Sequence, residues 1–322
     1  MALLGIDLGG TKVAFALFDS EGNILDRETL TLDSRKGSEV GHLITVTAAL
    51  MLSRTGKNGD AAEAVGISVP GISRRERGTV WAPNIPGWDD YPLLKEMQGV
   101  AQGIPVIIES DRSCYISGEI WKGSAQGCRD AIYLGVGTGI GAGIIINGEI
   151  LHGAQDIAGA IGWMALSRPF ESRYTVCGNF EYYASGEGIA RQAAEYLGKH
   201  SEYEGDLRRP EREKITTQDV FNAWKKGDAP ASRIIDLAVE YWGMASANLV
   251  SIFNPEKIIF GGGVFGPAAE LIPAIKQEAA KWAQPISIKQ VTFELSALAG
   301  DAGVYGAAWL AMKFLNRQTE NG

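Results

Sequence analysis

The sequence predicts an α/β protein of two domains built on a duplicated plan. Residues 5–12 (GIDLGGTK) and 134–143 (LGVGTGIGAG) each run an apolar strand into a Gly-Thr turn and out into a second apolar strand. Strand and helix patterns alternate through the rest of the chain. A length of 322 residues exceeds what one comfortable core encloses.

The first 35 residues read as strand, glycine hairpin, strand, a turn at Ser20, Glu21, Gly22 and Asn23, and strand. Val13, Phe15 and Leu17 alternate with Ala14 and Ala16, the pattern of a sheet buried on both faces. Residues 38–54 have helical spacing, and 65–69 form a short apolar strand that stops at Pro70-Gly71. The prolines of WAPNIPGW at 81–88 forbid a helix and predict an ordered loop. Residues 105–109 are the next strand and 111–121 the helix after it.

The plan restarts at Asp130 with strand, glycine turn and strand, followed by Asn147-Gly148, a strong hairpin signal. Residues 153–179 show no period and lead into a helical region, and the charged stretch 199–214 reads as an exposed loop. A long helix is expected at 229–253 and a strand at 257–260. Gly261, Gly262 and Gly263 then form a third glycine turn that opens another helix, and a helix from Ala302 to about Phe314 closes the chain. The expected domains are 1–121 and 122–301, with a hinge in 121–127 and the C-terminal helix, about 302–322, packing back on the first domain.

Composition narrows the function. Hydrophobic residues at 45% and charged residues at 21% are ordinary for a globular protein and argue against disorder. A net charge of 30 − 38 = −8 argues against nucleic acid or an acidic membrane as the main partner. No apolar run reaches the roughly 20 residues that span a bilayer, and the first residues carry no basic leader, so a cytoplasmic protein is expected. Cys114, Cys128 and Cys177 read as free thiols, and with His42, His152 and His200 they make no cluster of metal-site spacing.

Each motif has a functional and a structural reading. Asp7 at a strand end can hold hydrated Mg²⁺, Gly9 and Gly10 can present backbone donors, and Thr11 and Lys12 add a hydroxyl and a cation. A plain glycine hairpin explains the same residues. The repetition of the motif at Gly137, Thr138 and Gly139 favours a two-sided clasp for an anion, hence binding of a nucleoside triphosphate and transfer of its terminal phosphoryl group. No G-x-x-x-x-G-K-[ST] loop occurs. Asp111 follows an apolar strand and opens a helix, where it can act as the base of a kinase or simply cap the helix, a task open to Ser110 as well. Three successive glycines at 261–263 exceed what a tight turn needs and suggest a ligand against the backbone. Glu181 can bind hydroxyls from a helix or be a solvated acid on its face.

Taken in order, these elements resemble the ROK family of bacterial sugar kinases, within the actin-like ATPase (ribonuclease H-like) fold. The resemblance runs from DLGGTK at 7–12 through VPG at 69–71, PNIPGW at 83–88, ESD at 109–111, GTGIGAG at 137–143 and GGGV at 261–264 to AGVYGAA at 302–308. It implies ATP-dependent phosphorylation of a sugar hydroxyl, usually O6 of a hexose, in a cleft between the domains that closes and excludes water. Asp111 would be the base, with Asp7 near Mg²⁺ and the two Gly-Thr hairpins on the phosphates. Gly261, Gly262 and Gly263 would lie at the nucleoside, and Gly71, Asn84, Ser110, Glu181 and Trp163 at the sugar. A homodimer is expected. Some members are repressors with an N-terminal helix-turn-helix, for which a first strand beginning at the third residue leaves no room.

The departures from the family pattern lie on the sugar side. The family's Gly-Glu-Ile-Gly-His, whose Glu and His hold the sugar and whose His ligates a structural zinc, is here Gly159-Ala160-Ile161-Gly162-Trp163. Its three zinc cysteines fall on Ser172, Tyr174 and Asn179, so no metal is expected there, and Ser110 replaces the usual Asn. Trp163 can stack on a ring or an N-acyl group, or fill the volume that zinc vacated. The expected acceptor is therefore a sugar or cyclitol other than glucose. The rival readings are a nucleotide- and sugar-binding sensor with weak or no kinase activity, and an acetate-type kinase, which PNIPGW disfavours.

Overall fold

The computed structural model describes residues 2–55, 61–208 and 214–320. The chain divides into two compact units: residues 1–127, 150–158 and 297–322, and residues 128–149 and 159–296. This corrects the expected boundaries, because 122–127, 150–158 and 297–301 belong to the first unit. Side chains account for it. His152 lies 3.0 Å from Glu109 and Arg75 3.0 Å from Asp156. The buried Glu119 carboxylate accepts the amides of Ser124, Ala297 and Leu298.

In the first unit β1 (Ala2–Leu8) pairs antiparallel with β2 (Lys12–Asp19), and β2 with β3 (Ile24–Thr31). Helix α1 (Gly37–Arg54) follows, and β4 (Ala62–Val69) returns parallel to β1. A small hairpin, β5 (Ile72–Arg74) and β6 (Thr79–Trp81), precedes α2 (Leu93–Val100), β7 (Val106–Ser110) and α3 (Asp111–Lys122). The sheet order is β3-β2-β1-β4-β7. Leu4, Ile6, Val13 and Phe15 pack with Val40, Ile44 and Met51 of α1. Leu3, Ala16 and Phe18 pack with Val304, Ala308 and Ala311 of the C-terminal helix (Ala302–Glu320). That helix lies close because glycines face it: a Cβ on Gly66 would come 1.8 Å from the Ala307 carbonyl oxygen, and one on Gly118 2.4 Å from that of Ala302.

The second unit repeats the plan. Strands β8 (Ala131–Val136), β9 (Ile140–Ile146) and β10 (Glu149–Ile150) form the opening meander. The turn after β9 has positive φ at both Asn147 (54°) and Gly148 (80°), which an Asn-Gly pair tolerates best. Helices α4 (Asn179–Ala184), α5 (Gly186–Lys199), α6 (Thr217–Lys225) and α7 (Ala229–Phe253) precede β11 (Lys257–Gly261), and α8 (Ile272–Ala280) and α9 (Ser287–Gln290) precede β12 (Thr292–Leu295). The order β10-β9-β8-β11-β12 has the same succession of antiparallel and parallel neighbours as the first sheet. Asp228 caps α7 by accepting the Ala231 amide at 2.9 Å, and Asn254 ends it in the left-handed conformation.

Residues 209–213 of the expected 199–214 loop lie outside the described residues. Residues 81–88 form the expected ordered loop, closed by backbone bonds between Ala82 and Trp88 and anchored by Trp88 Nε1, which donates to the Gly37 carbonyl at 2.9 Å. The triple glycine opens a 3-10 turn (Gly263–Phe265), and α8 starts only at Ile272. Among the described residues no helix is long and apolar enough to cross a membrane.

Candidate active site

The first unit gathers Asp7, the first glycine hairpin and Asp111. Asp7 pairs with Ser68 across β1 and β4, and the Ser68 hydroxyl donates to Asp7 Oδ1 at 2.6 Å. On another side the first turn of the C-terminal helix comes so close that a Cβ on Gly303 would lie 2.4 Å from the Asp7 carboxyl carbon. Burial pushes the Asp7 carboxyl up to about 6, with Asp301 adding to the rise and Ser68 and Lys12 opposing it. Ser68 and Gly303 escape a reading by motif, because their part is to approach Asp7 across the fold.

Asp111 is the first residue of α3, and Ser110 occupies the cap position without a side-chain capping bond. Among the described residues the Asp111 carboxylate makes one hydrogen bond, accepting the Arg112 amide at 2.8 Å on Oδ1. Burial raises this carboxyl to about 6 as well; Arg112 opposes the rise and the charge of Asp7 reinforces it. The Arg112 guanidinium donates to the Gly71 carbonyl at 3.4 Å, and Gly71 has φ of 111°, with no room for a Cβ beside the Trp81 carbonyl oxygen. Two residues before Asp111, Glu109 is held by His152 at 3.0 Å and approached by Arg75 at 4.0 Å.

The first hairpin closes through the Gly9 amide, which donates to Lys12 at 2.9 Å, and the second through the Gly137 amide, which donates to Gly139 at 2.9 Å. The register makes the first a four-residue loop between Leu8 and Val13 and the second a three-residue loop between Val136 and Ile140. None of Gly9, Gly10, Gly137 and Gly139 has a left-handed φ, so the reason for glycine here is space rather than conformation. A Cβ on Gly137 would meet nothing within 4 Å, and one on Gly10 would first meet Asn84, at 3.5 Å. Gly10, Thr11, Arg35, Lys36 and Asn84 line a cavity of about 290 Å³.

The second unit gathers the second hairpin, the triple glycine and Glu181. A Cβ on Gly261 would strike the Tyr133 hydroxyl at 1.9 Å. Gly262 has φ of 86° and lies against the Val136 backbone, and only Gly263 faces open space. Packing therefore accounts for two of the three glycines. Glu181 is not a solvated acid of a helix face. Its Oε2 accepts the Ile140 amide at 2.7 Å, and Gly139 and Gly162 leave room for it. Burial raises its carboxyl, against the Ile140 bond.

The positions where the resemblance puts zinc ligands carry a hydrogen-bonded network. Asn179 Oδ1 accepts the amides of Leu166 (2.9 Å) and Ser167 (3.1 Å), and Asn179 Nδ2 donates to Ser167 Oγ at 3.0 Å. The Tyr174 hydroxyl donates to Glu171 at 2.9 Å and lies 2.8 Å from that of Tyr183. The Arg173 guanidinium sits 4.8 Å above the Tyr182 ring. Tyr174 and Phe180 are buried, but Trp163 is 56% exposed, so it does not fill the vacated volume. Among the described residues no cluster of three or more His, Cys, Asp or Glu is placed to hold a metal. We expect elemental analysis to find no stoichiometric zinc and chelators to leave the melting temperature unchanged, since a structural zinc contributes folding energy directly. One zinc per chain would overturn the assignment of Ser172, Tyr174 and Asn179 to the ligand positions.

The sequence model of the ROK family matches residues 3–314. A glucokinase of Halalkalibacterium halodurans is 35% identical, covering 99% of this chain and 96% of its own length. The structure of a ROK hexokinase from Thermus thermophilus aligns with a TM-score of 0.79 at 29% identity, over 98% of this chain and all of the other. That of a ROK family glucokinase from Streptomyces griseus, in complex with glucose and AMPPNP, aligns with a TM-score of 0.74 at 28% identity, over 97% and 100%.

Proposed function

The chain belongs to the ROK family and is a sugar kinase of the actin-like ATPase fold, and from that premise we propose that it transfers the γ-phosphoryl group of ATP to a hydroxyl of a sugar or cyclitol other than glucose. In a hexose derivative the acceptor would be the 6-hydroxyl. The observation that carries the reading is the pair of enclosed carboxylates, Asp7 and Asp111, each raised to about 6 by burial, with the charge of Asp7 adding to the rise at Asp111. Such a pair suits one group for a cation and one for a proton.

The residues present fit ATP and Mg²⁺. Gly10, Gly137 and Gly263 offer bare backbone to an anion, and Thr11 and Lys12 are exposed beside Gly10. Asp7 would hold the hydrated cation, Gly9, Gly10, Thr11, Lys12, Gly137, Thr138 and Gly139 the phosphates, and Gly263, supported by Gly261 and Gly262, the nucleoside. When bound, ATP supplies the phosphoryl group and Mg²⁺ neutralises its oxygens. Asp111 would take the acceptor's hydroxyl proton on Oδ2 while Oδ1 stays on the Arg112 amide. Gly71, Asn84, Ser110, Glu181 and Trp163 would orient the acceptor.

A specific observation favours the second reading, a sensor: Ala160 and Trp163 stand where the resemblance puts a carboxylate and an imidazole. ADP release with MgATP across a panel of hexoses, amino sugars, glycosides and cyclitols separates the two. We expect at least one acceptor other than glucose to raise the rate well above the acceptor-free background. If nucleotide and sugars bind but no acceptor raises it, the sensor reading replaces the kinase.

A further inference from the structure

The second unit holds an open cavity of about 940 Å³, lined mainly by apolar groups, among them Trp163, Pro169, Phe170 and Tyr174, together with Gly178 and Asn179. Its volume is at the upper end of small-molecule sites. Three of these residues, Trp163, Tyr174 and Asn179, stand at the positions where the resemblance puts zinc ligands. Tyr174 and Asn179 are held by the network described above, whereas Trp163 and Phe170 are 56% and 74% exposed, Phe170 meeting only the edge of Tyr174 among the ring contacts of the described residues.

The cavity shares Trp163 with the groups assigned to the acceptor, and the backbone beside it packs toward Glu181. A Cβ on Gly178 would lie 2.3 Å from the Gly162 carbonyl oxygen and 2.5 Å from the Trp163 Cα, and one on Gly162 2.9 Å from Glu181 Oε2. Gly162 thus packs against the Glu181 carboxylate and is followed directly by Trp163, whose side chain lines the cavity. Two large exposed rings beside a polar anchor match a ligand with hydroxyls at one end and a flat apolar face at the other. Such rings are costly to leave in water, and both stay more than half exposed.

We propose that this cavity is a specificity subsite for a ring-bearing substituent on the sugar acceptor, at the C1–C3 end that the resemblance assigns to positions 160 and 163, either an aryl group or a second sugar presenting the apolar face of its pyranose. The proposal rests on the kinase reading above for the position of Glu181. It accounts for the replacement of two polar sugar contacts by Ala160 and Trp163: a substituted C1 or C2 has no free hydroxyl to offer them.

Initial rates with both anomers of methyl and phenyl glucoside, and with cellobiose and maltose, test it. All carry a substituted C1, and only the last four carry a second ring. Ring-bearing acceptors should exceed the methyl glucosides in kcat/KM by at least about fivefold. Phe170→Ala, at an exposed position, should remove that preference while changing methyl glucoside turnover by less than about twofold, and Trp163→Ala should remove it as well. A preference confined to phenyl glucosides assigns an aryl group, and one confined to disaccharides a second sugar. Equal use of all six by the wild type, or an equal loss on all six in Phe170→Ala, overturns the subsite. If nothing is phosphorylated, the kinase reading fails separately, and calorimetric titration of the same glycosides decides. Ring-dependent binding that Trp163→Ala abolishes sustains the subsite, and its absence in the wild type overturns it.

Discussion

Asp111→Asn is expected to lower kcat by about 10²–10⁴-fold while leaving ATP binding within about threefold of wild type. The amide keeps the size of the carboxyl and can still accept the Arg112 amide proton, so α3 starts as before. What it loses is the basic oxygen that takes the acceptor's proton. In the wild type the acidic limb of the kcat/KM profile should rise through about pH 6, where Asp111 and Asp7 both titrate, so the limb belongs to the pair. The variant should keep only the part due to Asp7. Turnover within about threefold of wild type would refute Asp111 as the base.

The same variant should be more stable. The folded Asp111 carboxyl is raised from 3.8 to about 6, so between those values the native chain holds a proton that the unfolded chain has released. Stability therefore falls as pH rises through that window, and the cost is complete above it. Asn abolishes the cost, which is at most about 3 kcal/mol, so the gain in melting temperature should grow between pH 5 and pH 8. An inactive variant destabilised at pH 8 would point instead to a structural role for Asp111.

Regular elements were legible where their period was long enough to read. The helix at 229–253 and the strands flanking both glycine hairpins stand where the spacing puts them. The hairpin β5–β6 was not legible, because three-residue strands show no alternation, and α6 lies beside a stretch dominated by charge. Residues 150–158 look continuous with the second sheet, but the Arg75–Asp156 ion pair and the His152–Glu109 hydrogen bond, formed over long sequence separations, tie them to the first unit.

In the candidate site, residue type was legible and its physical reason was less so. The hairpin glycines read as bearers of backbone donors, and the structure gives the physical reason as their missing side chains rather than a left-handed φ. The triple glycine reads as one ligand-binding device, yet Gly261 and Gly262 satisfy Tyr133 and Val136. Glu181 looks like a surface acid in a sequence window, because the Ile140 amide that holds it lies 41 residues away in the chain. Such contacts are set by tertiary packing, which overrides local pattern.

Glucose is expected to be used with a kcat/KM about 10²–10⁴-fold below that of a zinc-containing glucokinase of the family. Ala160 offers no acceptor, and Trp163 turns an apolar ring to an open cavity where the resemblance puts an imidazole. Each lost hydrogen bond to a charged group costs about 1.5–3 kcal/mol, so two missing bonds give that range. Glu181 remains, with one oxygen committed to the Ile140 amide, and so cannot replace both. Ala160→Glu combined with Trp163→His should recover part of the deficit, on the order of tenfold. The recovery stays partial because the new imidazole has no metal to fix its ring, and a ligand's orientation comes from its second contact. The double variant should also lose any preference for ring-bearing glycosides, since it removes the wall that stacks on them. If the wild type phosphorylates glucose as efficiently as that relative, the substrate-side argument fails, and the chain reaches the same hydroxyls through groups other than those at 160 and 163.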